Sequence, residues 1–521
     1  MKTYNLKLLS LLLAFFASNA VHAQGNFSLA FNPDKYVEQS LTLNGKTFKV
    51  RAYQKIVYVQ KPVDTSYEVM NIYIPVEYFN GKSINGYTAA TAPIFFPNKV
   101  GGYMPAKPAS TSNNGPMGDM PPLNGRPPEG ALPSGPPPNG PMPGMPMGQG
   151  PKQSAVLVAL YKGYVVASAG ARGRTTKDKD GVYTGKAPAA LVDLKAAIRY
   201  LKFNNAVMPG DANKIISNGT SAGGAMSTLL GATGNNPDYL PYLNAIGAAN
   251  TSDDIFAVSA YCPIINLDHA DMAYEWQFYG INTYVRGGPP MPGNNSSQPN
   301  NLTEEQIKIS KALKVQFPAY LNSLQLKDKT GNLLKLDDNG DGNFKDLIKQ
   351  YVMQSAQKAI DSGKNLSSLT WLKLAGSKVS DLDYNAYLNY MQRQKTPPAF
   401  DALDLSTPET QLFGTTSIDK QHFTDFAAEN STTSKLKADQ TIVKMMNPMY
   451  YIGSPNTKVA QNWRIRHGSK DKDTGLAISV MLATLLQNKG YNANLELPWD
   501  RPHSGDYDLA ELFSWTDSIC K

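Results

Sequence analysis

The sequence predicts an α/β protein, a mostly parallel sheet flanked by helices and carrying a large inserted lid. Three observations predict it. Apolar strand-like runs alternate with helical spacing from about residue 163 to residue 261. That alternation then gives way to helical segments and loops rich in Asn, Asp and Lys as far as residue 442. It resumes at residue 462, so the core is split in sequence around its insertion. At 521 residues the chain exceeds one ordinary core, which fits a large domain with a substantial insertion.

The first 23 residues have a basic start, an apolar run from Leu8 to Ala20 and small residues at Val21 and Ala23. This is the pattern of a cleaved secretory leader, and the apolar run is short for a membrane span. The expectation is therefore a secreted or periplasmic protein that does not engage a membrane after cleavage. The formal net charge is +8, two units of it on Lys2 and Lys7. The remainder is scattered, without basic blocks or interleaved aromatics, so nucleic-acid binding is not indicated. Hydrophobic residues at 41% and charged residues at 18% exclude a mostly disordered chain. Export permits Cys262 and Cys520 to pair, and two free buried thiols account for them equally well.

Residues 24–265 form the first part of the core. Runs at 55–59, 70–75 and 92–96 read as strands. Residues 104–152 shift to Pro, Gly and Met and cannot form regular structure, so they are expected to be a flexible excursion from a loop. Residues 163–168 and 214–218 are strands, 188–202 a helix with Pro near its first turn, 222–232 a helix of small residues and 255–261 a buried strand. Residues 266–442 are the expected lid. Residues 443–521 complete the core with a strand at 462–467, a helix at 475–489 and a last strand at 493–497.

Gly219-Thr220-Ser221-Ala222-Gly223 matches G-x-S-x-G between a predicted strand and a predicted helix. This is the setting of a nucleophile elbow, in which a tight turn lifts a serine hydroxyl clear of the sheet beside a helix N-terminus. The pattern points to an α/β-hydrolase with Ser221 as nucleophile. A serine needs a neutral imidazole to take its proton. His269 and His422 fall in the insertion and His467 within a strand, whereas His503 lies in a loop after the last strand, as the chain order Ser, Asp, His requires. The loop Gly468-Ser469-Lys470-Asp471-Lys472-Asp473 offers two acids to orient it. Asp471 is preferred, and Asp473 reads as the cap of the following helix. The Ala222 N–H at the helix start and an N–H of Gly101 or Gly102, in the loop after the strand at 92–96, are the candidate oxyanion donors. Asp337-Asp338-Asn339-Gly340-Asp341-Gly342 has oxygens at spacing suited to Ca²⁺, but Ile348 occupies the twelfth position, and a solvated turn rich in Asp and Asn fits as well. No metal or organic cofactor is expected for the reaction.

With these motifs placed, the chain resembles the bacterial tannases, α/β-hydrolases with an inserted lid that cleave galloyl esters. The similarity spans most of the chain outside 104–152. It includes Pro97-Asn98-Lys99-Val100-Gly101-Gly102-Tyr103, Gly170-Ala171-Arg172-Gly173-Arg174, Lys395-Thr396-Pro397-Pro398-Ala399-Phe400-Asp401 and Arg464-Ile465-Arg466-His467-Gly468. The resemblance implies a triad of Ser221, Asp471 and His503, and implies that Lys395, Glu409 and Asp473 hold the galloyl hydroxyls. The expected partner is a small galloyl ester. The rival on the same scaffold is a feruloyl or other aryl esterase, and a more distant one is a non-catalytic binding protein.

Overall fold

The computed structural model describes residues 26–112, 153–285 and 298–521. The expected leader and residues 113–152 of the Pro/Gly/Met-rich segment lie outside the described residues. Val37–Leu43 (β1) and Lys46–Val57 (β2) pair as a hairpin around Asn44-Gly45, both at positive φ, the two-residue turn that matches strand twist. Val69–Pro75 (β3), Pro93–Pro97 (β4), Val165–Ala169 (β5), Asp211–Thr220 (β6) and Ala257–Tyr261 (β7) follow, and Asn462–Arg466 and Asn492–Glu496 complete the sheet. The nine strands lie in the order β1-β2-β3-β5-β4-β6-β7, then Asn462–Arg466, then Asn492–Glu496. β1, β2 and β3 pair antiparallel and β3 meets β5 antiparallel, while every pair from β5 to Asn492–Glu496 is parallel.

β3, β4, β5, β7 and Asn462–Arg466 are buried at every position, because helices cover both faces of the sheet. β4, β5 and β7 therefore read as largely apolar runs, whereas Asn462–Arg466 carries two buried arginines. Ala155–Tyr161 (α1), Ala189–Phe203 (α2), Ala222–Ala232 (α3), Leu476–Asn488 and Leu509–Cys520 belong to those layers. The predicted strand at 55–59 overlaps the end of a longer one, because β2 begins at Lys46 with exposed polar residues that hide its first part. The helix Leu509–Cys520 was not anticipated; the Cys520 carbonyl accepts from Lys214 Nζ at 2.9 Å and so ties it to β6.

Between Tyr261 and Asn462 the chain leaves the sheet. It forms the helices Leu267–Phe278, Glu304–Lys314 and Asn343–Asp361, several shorter ones and the hairpin Leu372–Ala375 with Lys378–Leu382. The hairpin was missed because its residues alternate around Lys, Ser and Asp on a largely exposed surface. Within the Asp-rich turn, Asp337 Oδ1 accepts from the Asn339 and Asp341 N–H groups at 2.9 Å each, the hydrogen bonding of a self-capped turn. Both cysteines are free and buried. Among the described residues no helix is long and apolar enough to cross a membrane.

Candidate active site

The parallel strands run in one direction, so the loops that follow them gather at one edge of the sheet, where ligands of open α/β sheets bind. Ser221 directly follows β6 and precedes α3, with φ 62° and ψ −123°. A side chain in this region stores backbone strain of about 1–3 kcal/mol, which the surroundings must hold. They do so through the Ser221 N–H, which donates to the Tyr261 carbonyl at 3.0 Å, and through glycines on either side. A Cβ on Gly219 would stand 2.2 Å from the Gly223 carbonyl oxygen, and one on Gly223 would stand 2.7 Å from Asn98 Oδ1. Asn98 fills that space and donates to the Gly223 carbonyl at 3.0 Å and to Ser227 Oγ at 2.9 Å.

Asp471 follows the strand Asn462–Arg466 and is fully buried. Its Oδ2 lies 2.8 Å from His503 Nδ1. Burial alone would raise the Asp471 pKa, but His503 and His467 beside it and the hydrogen bond from His503 hold it below the ordinary carboxylate value. Burial works against the His503 imidazolium as well; the charge of Asp471 and its hydrogen bond prevail and lift the pKa well above the usual imidazole range. His503 Nε2 has Cys262 Sγ at 3.9 Å and Asp473 Oδ2 at 3.9 Å. The structure gives no Ser221 Oγ hydrogen bond to it, a contact that in unliganded enzymes commonly forms only around substrate. His467, placed within a strand by its sequence, follows the strand end. It bonds through Nδ1 to Ser479 Oγ at 2.9 Å, with Nε2 3.7 Å from Asp471 Oδ2. Burial lowers its pKa, against the opposing charge of Asp471.

One cavity of about 420 Å³ is lined by Ser221, His503 and Gly102 together with Lys395, Glu409 and Asp473. Gly102 thus reaches the cavity, and Gly101 is not among its lining residues. Ala222 is the first residue of α3, where backbone N–H groups have no intrahelical acceptor. Lys395 Nζ lies 3.4 Å from Asp473 Oδ2 and 4.0 Å from the centre of the Phe400 ring. Glu409 sits in the first turn of the helix Pro408–Leu412, and its burial raises its pKa. Asp473 is not a helix cap: the helix starts at Leu476 with Gly475 before it, and the Asp473 N–H donates to Asp471 Oδ1 at 2.9 Å.

Several residues that hold this cavity carry no local signal. Arg174 Nε donates to the Gly102 carbonyl at 2.9 Å and its Nη1 donates to Gln411 Oε1, joining the loop after β4 to the insertion. The Tyr274 hydroxyl accepts from the Gln394 and Lys395 N–H groups at 3.2 and 3.1 Å and donates to the Lys472 carbonyl at 3.0 Å. Arg393, fully buried, pairs with Glu275 and donates to the Lys395 carbonyl at 2.6 Å. The other histidines of the insertion stand elsewhere. His269 stacks on Tyr320, and His422 bonds Asp401 at 2.7 Å and Ser431 Oγ at 2.9 Å. That second Ser, His, Asp series lies apart from the cavity, and Ser431 Oγ is committed to the Leu403 and Ser434 carbonyls.

A mostly parallel sheet flanked by helices, with a strained serine between strand and helix and a histidine and an aspartate in the loops after later strands, defines the chain as an α/β-hydrolase. A family model described as BD-FAE matches residues 148–277. No curated protein matches the chain. Among solved structures, a tannin acyl hydrolase from Lactobacillus plantarum is 44% identical with a TM-score of 0.84, covering 95% of this chain and 99% of that one. The tannase of Fusobacterium nucleatum is 47% identical with a TM-score of 0.84, covering 95% of this chain and 100% of its own. A tannin acyl hydrolase in complex with ethyl gallate is 44% identical with a TM-score of 0.83, covering 95% of this chain and 99% of its own. The chain belongs to the tannase (tannin acylhydrolase) family.

Proposed function

We propose that the chain hydrolyses galloyl esters through an acyl-enzyme. The observation that carries this reading is the shared cavity: the strained Ser221 and the Asp471-oriented His503 face the same space as one ammonium and two carboxylates, from Lys395, Glu409 and Asp473. Vicinal phenolic hydroxyls are donors that carboxylates accept from, and an ammonium donates back to a phenolic oxygen. In the proposed reaction His503 Nε2 takes the Ser221 proton as Oγ attacks the ester carbonyl. The Ala222 and Gly102 N–H groups stabilise the oxyanion, and His503 returns the proton to the leaving alcohol. A water activated by His503 then releases the gallate. The Asp471 carboxylate holds the Nδ1–H tautomer and offsets the imidazolium charge.

Residues 266–442 act in this reading as a lid that supplies Lys395 and Glu409, with core residues 24–265 and 443–521 supplying the triad. Residues 1–23 act as a cleaved leader, which makes the enzyme secreted or periplasmic.

Methyl gallate against methyl ferulate is the deciding comparison. A site that binds ring hydroxyls leaves its polar groups unpaired against a methoxylated ring, so methyl gallate is expected to be preferred by about 10⁴-fold in kcat/KM. Equal rates would remove the galloyl assignment. Ser221→Ala is expected to abolish hydrolysis and labelling by a fluorophosphonate while leaving the circular dichroism spectrum unchanged.

A further inference from the structure

Cys262 follows β7, and its thiol packs against the edge of His503 opposite Asp471. Its Sγ lies 3.9 Å from Nε2, whereas Nδ1 lies 2.8 Å from Asp471 Oδ2. The backbone fixes this placement: Cys262 has φ 37°, and its N–H donates to the Arg466 carbonyl at 2.6 Å. Cys262, Asp471 and His503 each offer one ligand atom, all within 4.8 Å of one another, and Asp473 Oδ2 lies 3.9 Å from Nε2. The esterase reaction uses Asp471 and His503 and leaves the thiol without a role.

We propose that Cys262 Sγ and His503 Nε2 form a binding site for a soft divalent cation, Zn²⁺ or Cd²⁺, and that occupancy stops the esterase. The spacing suits it. With zinc–sulfur and zinc–nitrogen bonds of about 2.3 and 2.0–2.1 Å, an ion spans the observed gap at an S–metal–N angle of roughly 125–130°, with little movement of either side chain. The imidazole is already oriented, because metal-bound histidines donate their other N–H to a carboxylate, as Nδ1 does to Asp471. Asp473 or water completes the coordination from the cavity side. Binding replaces the thiol proton, and the Nε2 proton wherever His503 is charged, with the metal and releases them to solvent. The neutral Nε2 lone pair is consumed, so Ser221 loses its base; the inhibition rests on the reading of His503 as that base, whereas the binding does not.

Cadmium titration of the full chain tests both parts. A thiolate-to-cadmium charge-transfer band of one equivalent per chain is expected in the ultraviolet, absent in Cys262→Ser and Cys262→Ala and retained in Cys520→Ser. The same concentrations should inhibit methyl gallate hydrolysis, and EDTA should restore it. The inhibition midpoint should rise by about tenfold or more in the Cys262 variants, measured on whatever activity they keep. Ser221→Ala, although inactive, should keep the band, which separates failure of this site from failure of the esterase reading. If the Cys262 variants fail to fold, a wild-type crystal soaked in cadmium reads the site directly. No band, a band lost only in Cys520→Ser, an unmoved midpoint, or cadmium density only away from Sγ and Nε2 would each overturn the proposal.

Discussion

The Tyr274 hydroxyl accepts a hydrogen bond from the Lys395 N–H at 3.1 Å. It also donates to the Lys472 carbonyl at 3.0 Å, between Asp471 and Asp473. One buried oxygen therefore fixes the insertion against the loop that carries two acids of the candidate site. Tyr274→Phe keeps the ring and leaves two N–H groups and a carbonyl short of partners. At about 1 kcal/mol per net hydrogen bond, kcat/KM on methyl gallate is expected to fall about tenfold. Most of that fall should appear in KM, since in the proposed reading Lys395 and Asp473 hold the ring and take no part in the proton transfers. Steady-state kinetics separate the two parameters, and a loss confined to kcat would contradict this role.

The acid limb of activity should lie on the alkaline side of an ordinary histidine. In the proposed reaction only neutral His503 accepts the serine proton, and its pKa stands well above the usual imidazole value because the Asp471 charge and hydrogen bond outweigh burial. The imidazolium therefore persists to higher pH, and kcat/KM falls as pH drops through that raised pKa. Asp471→Asn removes the charge that favours the imidazolium. The midpoint is then expected to move to lower pH, while the plateau rate drops by about 10³–10⁴-fold. A profile of kcat/KM against pH for both proteins checks the direction.

Arg174 Nε lies 2.9 Å from the Gly102 carbonyl, in the candidate oxyanion loop. Replacing it with Leu frees the Gly102–Tyr103 peptide, which adjoins the one that would aim the Gly102 N–H. A loss of about 10- to 100-fold in kcat with little change in KM is expected, as for a weakened oxyanion donor. An unchanged kcat would show that the loop holds its own geometry.

Glu275 and Arg393 are both fully buried, and Ser310 Oγ donates to Glu275 Oε2 at 2.5 Å. Glu275→Leu leaves the guanidinium charged without its partner, a change that costs about 3–5 kcal/mol in buried pairs. Urea unfolding should show that loss, and Arg393→Met in the same chain should recover much of it, because the uncompensated charge is then gone.

Gly223→Ala tests the elbow itself. The new Cβ would meet Asn98 Oδ1 at 2.7 Å and the Val100 carbonyl oxygen at 2.9 Å, both inside the core. Destabilisation of about 1–3 kcal/mol is expected from the overpacking, with activity lost in parallel as Asn98 is displaced.

The parallel part of the sheet was legible because its buried strands, such as residues 92–96 and 255–261, are largely apolar runs bounded by turn residues. The exposed hairpins were not, since polar alternation on a surface gives little contrast. Ser221 was legible because an elbow is a local object: strand, tight turn and helix start occupy one short segment. Lys395 and Glu409 were reachable only through family resemblance, for each stands in the sequence as an ordinary surface charge, yet Glu409 is buried. His467 could be placed near the last strands but not beside Asp471, because the turn between them decides which way each side chain points.

By itself the sequence determined the α/β class, the split of the core around an insertion and the order in which a serine, an acid and a histidine occur. These follow from periodicity and short-range turn chemistry, which are encoded within a few residues. Only the tertiary structure decided that Gly102 and not Gly101 lines the cavity, that the Tyr274 hydroxyl joins Lys395 to Lys472, and that the Cys262 thiol lies against His503. Those relationships join segments tens to hundreds of residues apart, and their distances are set by how the helices and the insertion pack on the sheet.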